Sequence, residues 1–174
     1  MEKIIFFEGP DKSGKSTIAE VLARKLNLPY IPSETAQNQG DYYNDLVYGE
    51  LKLAKFLVQL SDGGQSISFV KDRNWISELI YGTVYGRKVC YETLARLDEL
   101  YANLNTYVIV CIKNDNKYNL EGEPELVLEN HQKLHNKYIN WFYETESKYP
   151  KLLLNTSDQT LNNQISIIKQ FIGL

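Results

Sequence analysis

Gly9-Pro10-Asp11-Lys12-Ser13-Gly14-Lys15-Ser16 stands directly behind Lys3-Ile4-Ile5-Phe6-Phe7-Glu8 and directly ahead of Thr17-Ile18-Ala19-Glu20-Val21-Leu22-Ala23-Arg24-Lys25-Leu26. The order of these three stretches decides the fold. The first is an apolar run of strand length, and the last sets Ile18, Val21, Leu22 and Leu26 on one helical face. Between them, a glycine-bearing loop opens a helix whose unpaired N–H groups attract phosphate oxygens. Gly9 and Gly14 permit the tight backbone path. The pattern is a P-loop. The loop from Gly9 and Pro10 through Ser13 and Gly14 to Lys15, Ser16 and Thr17 is expected to cradle the phosphates of a nucleoside triphosphate. Lys15 would reach the β- and γ-phosphates, and the Ser16 hydroxyl is placed for Mg²⁺. A chance match in a glycine turn would lack the strand and the helix in register.

The 174 residues, 43% hydrophobic and 24% charged, suit one globular domain spanning 1–174. A net charge of −3 offers no global attraction for nucleic acid, so anion binding falls to a few placed cations. Arginine occurs only at Arg24, Arg73, Arg87 and Arg96. Cys90 and Cys111 match no metal or redox spacing, and Cys111 lies in an apolar run as a small core residue would. The apolar start is too short for a signal peptide, and no stretch has membrane-spanning length. The expectation is a cytoplasmic chain with no nucleic-acid or membrane partner and a small-molecule nucleotide as substrate.

Strands and helices alternate along the rest of the chain. A short strand is expected at 28–31, a helix at 44–60, and a strand at 65–70 with Asp72-Arg73 at its C-terminal end. Helices follow at 75–85 and 91–104, then an apolar strand at 106–112. Residues 113–125 are polar and aperiodic, as a loop or mobile lid would be. A long helix at 126–149, a strand at 152–154 and a helix at 161–172 close the chain. This order predicts an α/β fold: a five-stranded parallel sheet with helices on both faces. Ligands bind such sheets beyond the carboxyl ends of the strands. The P-loop, Ser33-Glu34, Asp72-Arg73 and the 113–125 segment all fall there.

Each candidate has a plain alternative. Asp72 can hold the Mg²⁺ shell while Arg73 forks onto phosphate oxygens, or the two can be a surface ion pair. Asp11 sits where a carboxylate repels phosphate, so a second substrate's hydroxyl is its natural partner; the alternative is capping of its own loop. Lys12 is a second cation near the γ-phosphate or a solvated lysine. Arg87 can turn onto an acceptor phosphate or complement a helix C-terminus. His131 and His135 have zinc-compatible i, i+4 spacing but no third ligand nearby, which favours an exposed or core-rim pair.

Phe7 to Thr17 as a run (Phe-Glu-Gly-Pro-Asp-Lys-Ser-Gly-Lys-Ser-Thr) resembles the opening of thymidylate kinases, F-E-G-x-D-x-x-G-K-S/T-T. Asp72-Arg73 with Ser77 and Tyr81 resembles their Asp-Arg-x-x-x-Ser helix, with its aromatic four residues past the serine. The short chain and residues 77–82 look most like divergent bacteriophage members. The resemblance implies a P-loop NTPase fold of nucleoside monophosphate kinase type, with ATP-dependent phosphorylation of dTMP or a related deoxynucleotide. By it, Asp11 contacts the acceptor's sugar hydroxyl, Arg73 bridges phosphates, Tyr81 lies against sugar or base, and the protein forms a homodimer.

The departures matter as well. Ser33-Glu34 replaces the family's usual arginine-acid pair, 44–60 carries no arginine to read thymine, and 113–125 carries none for catalysis. Lys12 supplies charge there without a bidentate fork. Deoxynucleoside kinases offer a rival pattern, with a general base where Glu34 stands and an acidic substrate ligand where Glu78 stands. A phosphate acceptor is already anionic and needs no base. Asp11 favours the nucleotide acceptor; a non-catalytic nucleotide-binding module would need no acceptor-side carboxylate at all.

Overall fold

The computed structural model describes residues 2–33, 42–114, 117–146 and 148–174, with backbone only at 42–46. Among them, strand β1 (Lys3–Glu8) is buried along its whole length, as the unbroken apolar run requires of a central parallel strand. Helix α1 (Lys15–Leu26) follows the glycine loop and ends at Asn27, whose left-handed conformation reverses the chain. Then come β2 (Tyr30–Ile31), α2 (Tyr42–Asp62), β3 (Ser68–Asp72), α3 (Trp75–Val84) and α4 (Tyr91–Ala102). β4 (Thr106–Ile112), α5 (Glu125–Glu144), β5 (Lys151–Asn155) and α6 (Leu161–Phe171) complete the order.

The five strands form one parallel sheet in the order β2-β3-β1-β4-β5. Period-two alternation divides the core. Ile4 and Phe6 of β1 face the layer built from α2, α3, α4 and α5, where Leu57, Trp75, Leu97 and Tyr138 pack. Ile5 and Phe7 face α1 and α6, against Leu22, Ile165 and Ile168. Phe6 meets Trp75 and Tyr101 edge-on at 5.4 and 4.8 Å, and those two rings stack at 4.7 Å. Among the described residues no helix is long and apolar enough to cross a membrane.

Several boundaries move from their sequence positions. The second strand keeps only Tyr30 and Ile31, because Asn27 turns the chain and Pro29 contributes a carbonyl, to the Val70 N–H, but no donor. The third strand begins at Ser68 and carries Asp72 as its last residue, since Gly64 and Gln65 still belong to the closing turn of α2. The fourth helix ends at Ala102 and the long one at Glu144, earlier than expected. At the latter end, the Lys151 ammonium takes the Phe142 and Thr145 carbonyls at 2.6 and 2.7 Å, so the last turn finishes on a side chain.

Candidate active site

Register sets up the site. β1 and β3 pair with Phe7 opposite Asp72, and the Arg73 N–H donates to the Phe7 carbonyl at 2.8 Å. The glycine loop and the Asp-Arg pair therefore leave adjacent strands side by side. Gly9 takes φ +138°, and a Cβ there would lie 2.1 Å from the Cys111 carbonyl oxygen, so no other residue fits. Gly14, at φ +86°, begins α1 with no side-chain cap and no acidic residue in the first turn. The helix N–H groups are thus left for an anion.

Within this loop Lys15 is buried and folds back, its ammonium 3.5 Å from the Pro10 carbonyl. Burial, reinforced by the Arg73 charge, pushes its pKa down to about 8. Ser13 is wholly buried; its carbonyl accepts from the Thr156 hydroxyl at 2.7 Å, tying the loop to the end of β5. Ser16 and Thr17 are exposed on the first turn. Asp72 is 2% exposed, and its Oδ1, like the Ser13 Oγ, has no hydrogen-bond partner among the described residues. A buried carboxylate oxygen without a donor, next to a loop that presents a serine hydroxyl, fits a hard cation such as Mg²⁺ that takes oxygen ligands.

Arg73 organises the other half of the site. Its φ of +67° is rare for a non-glycine residue and aims the side chain back over the loop. Nη1 donates to the Gly9 carbonyl at 3.2 Å, the Ser77 hydroxyl at 3.0 Å and the Tyr138 hydroxyl at 3.3 Å. Nη2 meets Asp11 Oδ1 at 2.5 Å and the Tyr81 hydroxyl at 2.9 Å, and the guanidinium sits 4.7 Å from the Tyr81 ring centroid. Tyr81 in turn donates to Asp11 Oδ2 at 3.0 Å. Burial alone would raise the Asp11 carboxyl; the Arg73 and Lys15 charges, with hydrogen bonds from Tyr81 and Arg73, hold it below the usual range. Burial likewise opposes the Arg73 charge, but Tyr81, Tyr138, Asp11 and Glu8 more than compensate.

Behind Arg73 lies Glu8, fully buried at the end of β1. Its Oε1 accepts the Asn74 N–H at 2.8 Å; Oε2 accepts the Ser77 hydroxyl at 2.5 Å and the Tyr138 hydroxyl at 3.2 Å. Burial pushes this carboxyl up to about 7, against the lowering pull of Ser77, Arg73, Asn74 and Tyr138.

The remaining candidates are spread around this centre. Lys12, with φ +59°, pairs its ammonium with Glu123 at 2.9 Å, linking the loop to the residues just before α5. Glu78 and Arg87 pair with each other at 3.7 Å, and burial raises the Glu78 carboxyl against the Arg87 charge. Glu34 lies outside the described residues. His131 and His135 are not exposed: both are buried on the inner side of α5. The Tyr118 ring covers them, 4.3 Å from the His131 ring, with its hydroxyl 3.0 Å from His135 Nδ1. His131 Nε2 approaches the Asp11 carbonyl at 3.2 Å and so braces the loop. Sequence reading passed over Glu8, Tyr138, Thr156 and Tyr118 as site residues. A charged residue closing an apolar strand was the available signal for Glu8.

Sheet order, glycine loop and strand-end Asp-Arg pair define an α/β fold of the nucleoside monophosphate kinase type. No protein-family model matches the chain. A probable thymidylate kinase of Methanococcus aeolicus is 26% identical, covering 92% of this chain and 91% of that protein. The probable thymidylate kinase of Methanococcus vannielii is 34% identical over 49% of this chain and 50% of its own length. Among solved structures, the YorR protein of Bacillus subtilis, in complex with phosphorylated GDP, superposes with a TM-score of 0.71 at 17% identity, covering 98% and 96% of the two chains. Thymidylate kinase of Ehrlichia chaffeensis gives 0.67 at 14% identity, covering 98% of each. Deoxyadenosine kinase of M. mycoides with bound dATP gives 0.57 at 17%, covering 100% of each. The chain is thus similar, as a distant relative, to proteins named probable thymidylate kinase.

Proposed function

We propose that the protein is a nucleotide kinase that transfers the γ-phosphoryl group of ATP to a deoxynucleoside monophosphate, dTMP foremost. The observation that carries this reading is the partly buried Asp11–Arg73–Tyr81 cluster set directly beside the glycine loop. A donor-binding loop alone would serve any nucleotide-binding protein; an acceptor-side carboxylate locked to an arginine serves a second, anionic substrate.

In this reading the loop N–H groups and Lys15 hold the donor phosphates, and Lys15 gains its full charge as they arrive. Ser16 and Asp72 would hold Mg²⁺, which when bound neutralises charge on the donor oxygens. Arg73 stabilises the charge spread over the transferred group, and Lys12 adds a second cation from the loop. Asp11 receives the acceptor's sugar hydroxyl, while Ser77 and Tyr81 line that side. The acceptor phosphate arrives ionised, so no general base is required. The segment at 113–125, joined to the loop through Glu123 and Lys12, acts as the lid that excludes water.

Transfer to a free deoxynucleoside is the second reading. It rests on the half-buried Glu78–Arg87 pair five residues beyond Arg73, and it would assign the general base to Glu34. Incubation with labelled Mg-ATP and a panel of deoxynucleosides and their monophosphates separates the two. A diphosphate made from a monophosphate supports the nucleotide kinase; a monophosphate made only from a free nucleoside overturns it. Lys15→Ala is expected to abolish turnover with an unchanged circular dichroism spectrum, and full activity in that variant would sink the loop assignment.

A further inference from the structure

Glu8 is the one acid that β1 carries, and it faces neither solvent nor the open mouth of the site. Its Oε2 and the Nη1 of Arg73 share the same two hydroxyl groups. Ser77 Oγ lies 2.5 Å from Glu8 and 3.0 Å from Arg73; Tyr138 Oη lies 3.2 and 3.3 Å from them. The two hydroxyls also touch each other at 2.8 Å. Each hydroxyl has a single proton and two lone pairs. A proton directed to Glu8 leaves oxygen lone pairs for the guanidinium. A proton directed to Nη1 would set donor against donor.

We propose that Glu8 is a positioning residue for Arg73: by accepting the Ser77 and Tyr138 hydroxyl protons, it turns both oxygens toward Nη1 and fixes the guanidinium that engages Asp11. Three elements meet through this one carboxylate, since β1 supplies Glu8, α3 supplies Ser77 and α5 supplies Tyr138. The alternative is a purely structural acid that satisfies the Asn74 N–H at the start of α3. The assignment of Arg73 to phosphate chemistry rests on the proposed kinase activity; the link between Glu8 and Arg73 does not.

Glu8→Gln tests it, because the amide keeps an acceptor for Asn74 but sets N–H groups against the hydroxyls. With four arginines in the chain, the guanidinium N–H signals of arginine-labelled protein can be assigned through Arg73→Lys. The expected result is a folded Glu8→Gln protein whose slowly exchanging Arg73 signals are lost. Its acceptor KM is expected to rise about tenfold with donor KM held within about twofold. In a Ser77→Ala/Tyr138→Phe background, adding Glu8→Gln should change neither quantity, since the pathway is already cut. Arg73 signals identical to wild type in Glu8→Gln, or an undiminished effect in that background, would overturn the proposal. If Glu8→Gln does not fold, the Ser77→Ala/Tyr138→Phe protein carries the test: it must lose the protected signals, and Ser77→Thr, which restores a hydroxyl, must keep them. The spectroscopic arm needs no turnover. Coupled signals without transfer to any monophosphate would therefore reject the kinase reading alone, and transfer with uncoupled signals this one alone.

Discussion

The carboxylate of Asp11 and the guanidinium of Arg73 meet at 2.5 Å, so the arginine at the end of β3 is already neutralised by a residue of the glycine loop. In the proposed reading, the donor and acceptor halves of the site would share this one ion pair. An incoming phosphate would then compete with Asp11 for Arg73, and the released carboxylate would become available for a hydroxyl.

Asp11→Asn keeps the shape and one acceptor for Tyr81 but removes the charge. The pair is only partly exposed, at 17% and 30%, so its loss is felt in the fold. Stability is expected to fall by about 1–3 kcal/mol, read from urea unfolding. Turnover with the best monophosphate is expected to fall about a hundredfold, read from initial rates.

Glu8 carries the clearest pH dependence. Its folded pKa of about 7 lies above the ordinary 4.5, so the folded chain binds the proton more tightly than the unfolded one. The sign follows from linkage: this contribution is fully present below pH 4.5 and is lost as pH rises through 7. Arg73 beside the β3 end, Lys15 of the loop, Tyr138 of α5, Cys111 of β4 and Tyr149 are the titratable groups that feel its charge. Unfolding free energies from urea titrations between about pH 4.5 and 7.5 should decline in wild type by an increment, on the order of 2 kcal/mol, that Glu8→Gln lacks.

Gly9→Ala places a methyl group 2.1 Å from the backbone oxygen of Cys111 at φ +138°. Neither partner is the flexible end of a side chain. The substitution should cost at least about 3 kcal/mol and lower the melting temperature or prevent soluble expression. A Gly9→Ala protein that melts with wild type would show the loop path to be wrong.

Glu123→Gln separates stability from function. The Lys12–Glu123 pair is exposed at 44% and 20%, so its loss should change the unfolding free energy from urea titration by less than about 0.5 kcal/mol. Hydrolysis of ATP without acceptor should nevertheless rise severalfold, on the order of the effect of an unlatched lid. Equal hydrolysis in the two proteins would remove the pair from any role in closure.

What the sequence reveals here follows the range of the interactions involved. The phosphate loop, the buried central strand and the amphipathic helices are written in residues at most a few turns apart, and all were legible. Asp72 and Arg73 were legible because a strand end is a local signal with a predictable location. The short second strand was legible in place but not in length, since its pairing depends on β3 rather than on its own residues. The early end of α5 at Glu144 depends on Lys151, which reaches back over the chain to claim carbonyls. His131 and His135 read as an exposed or core-rim pair because nothing local announces that Tyr118 will cover them. Glu8 is the same case. A charge at the end of an apolar run looks alike whether water or a pair of hydroxyls lies beyond it.

The hydrogen bond from Tyr138 to Glu8 closes 130 residues of chain, and that from Ser77 to Glu8 closes 69. Loops of that length are costly to close before their contacts form, and parallel pairing adds further delay. The order of assembly follows: the sheet and its two apolar layers must come together first, and the acid, hydroxyls and guanidinium can lock only when α5 has docked. Until then Glu8 still lacks a hydroxyl that it needs as a partner. During synthesis, the glycine loop emerges well before α5, and the network behind it is completed only after residue 138 has left the ribosome. An isolated first half of this chain, however well its glycine loop is formed, would hold Arg73 without the hydroxyl that α5 supplies.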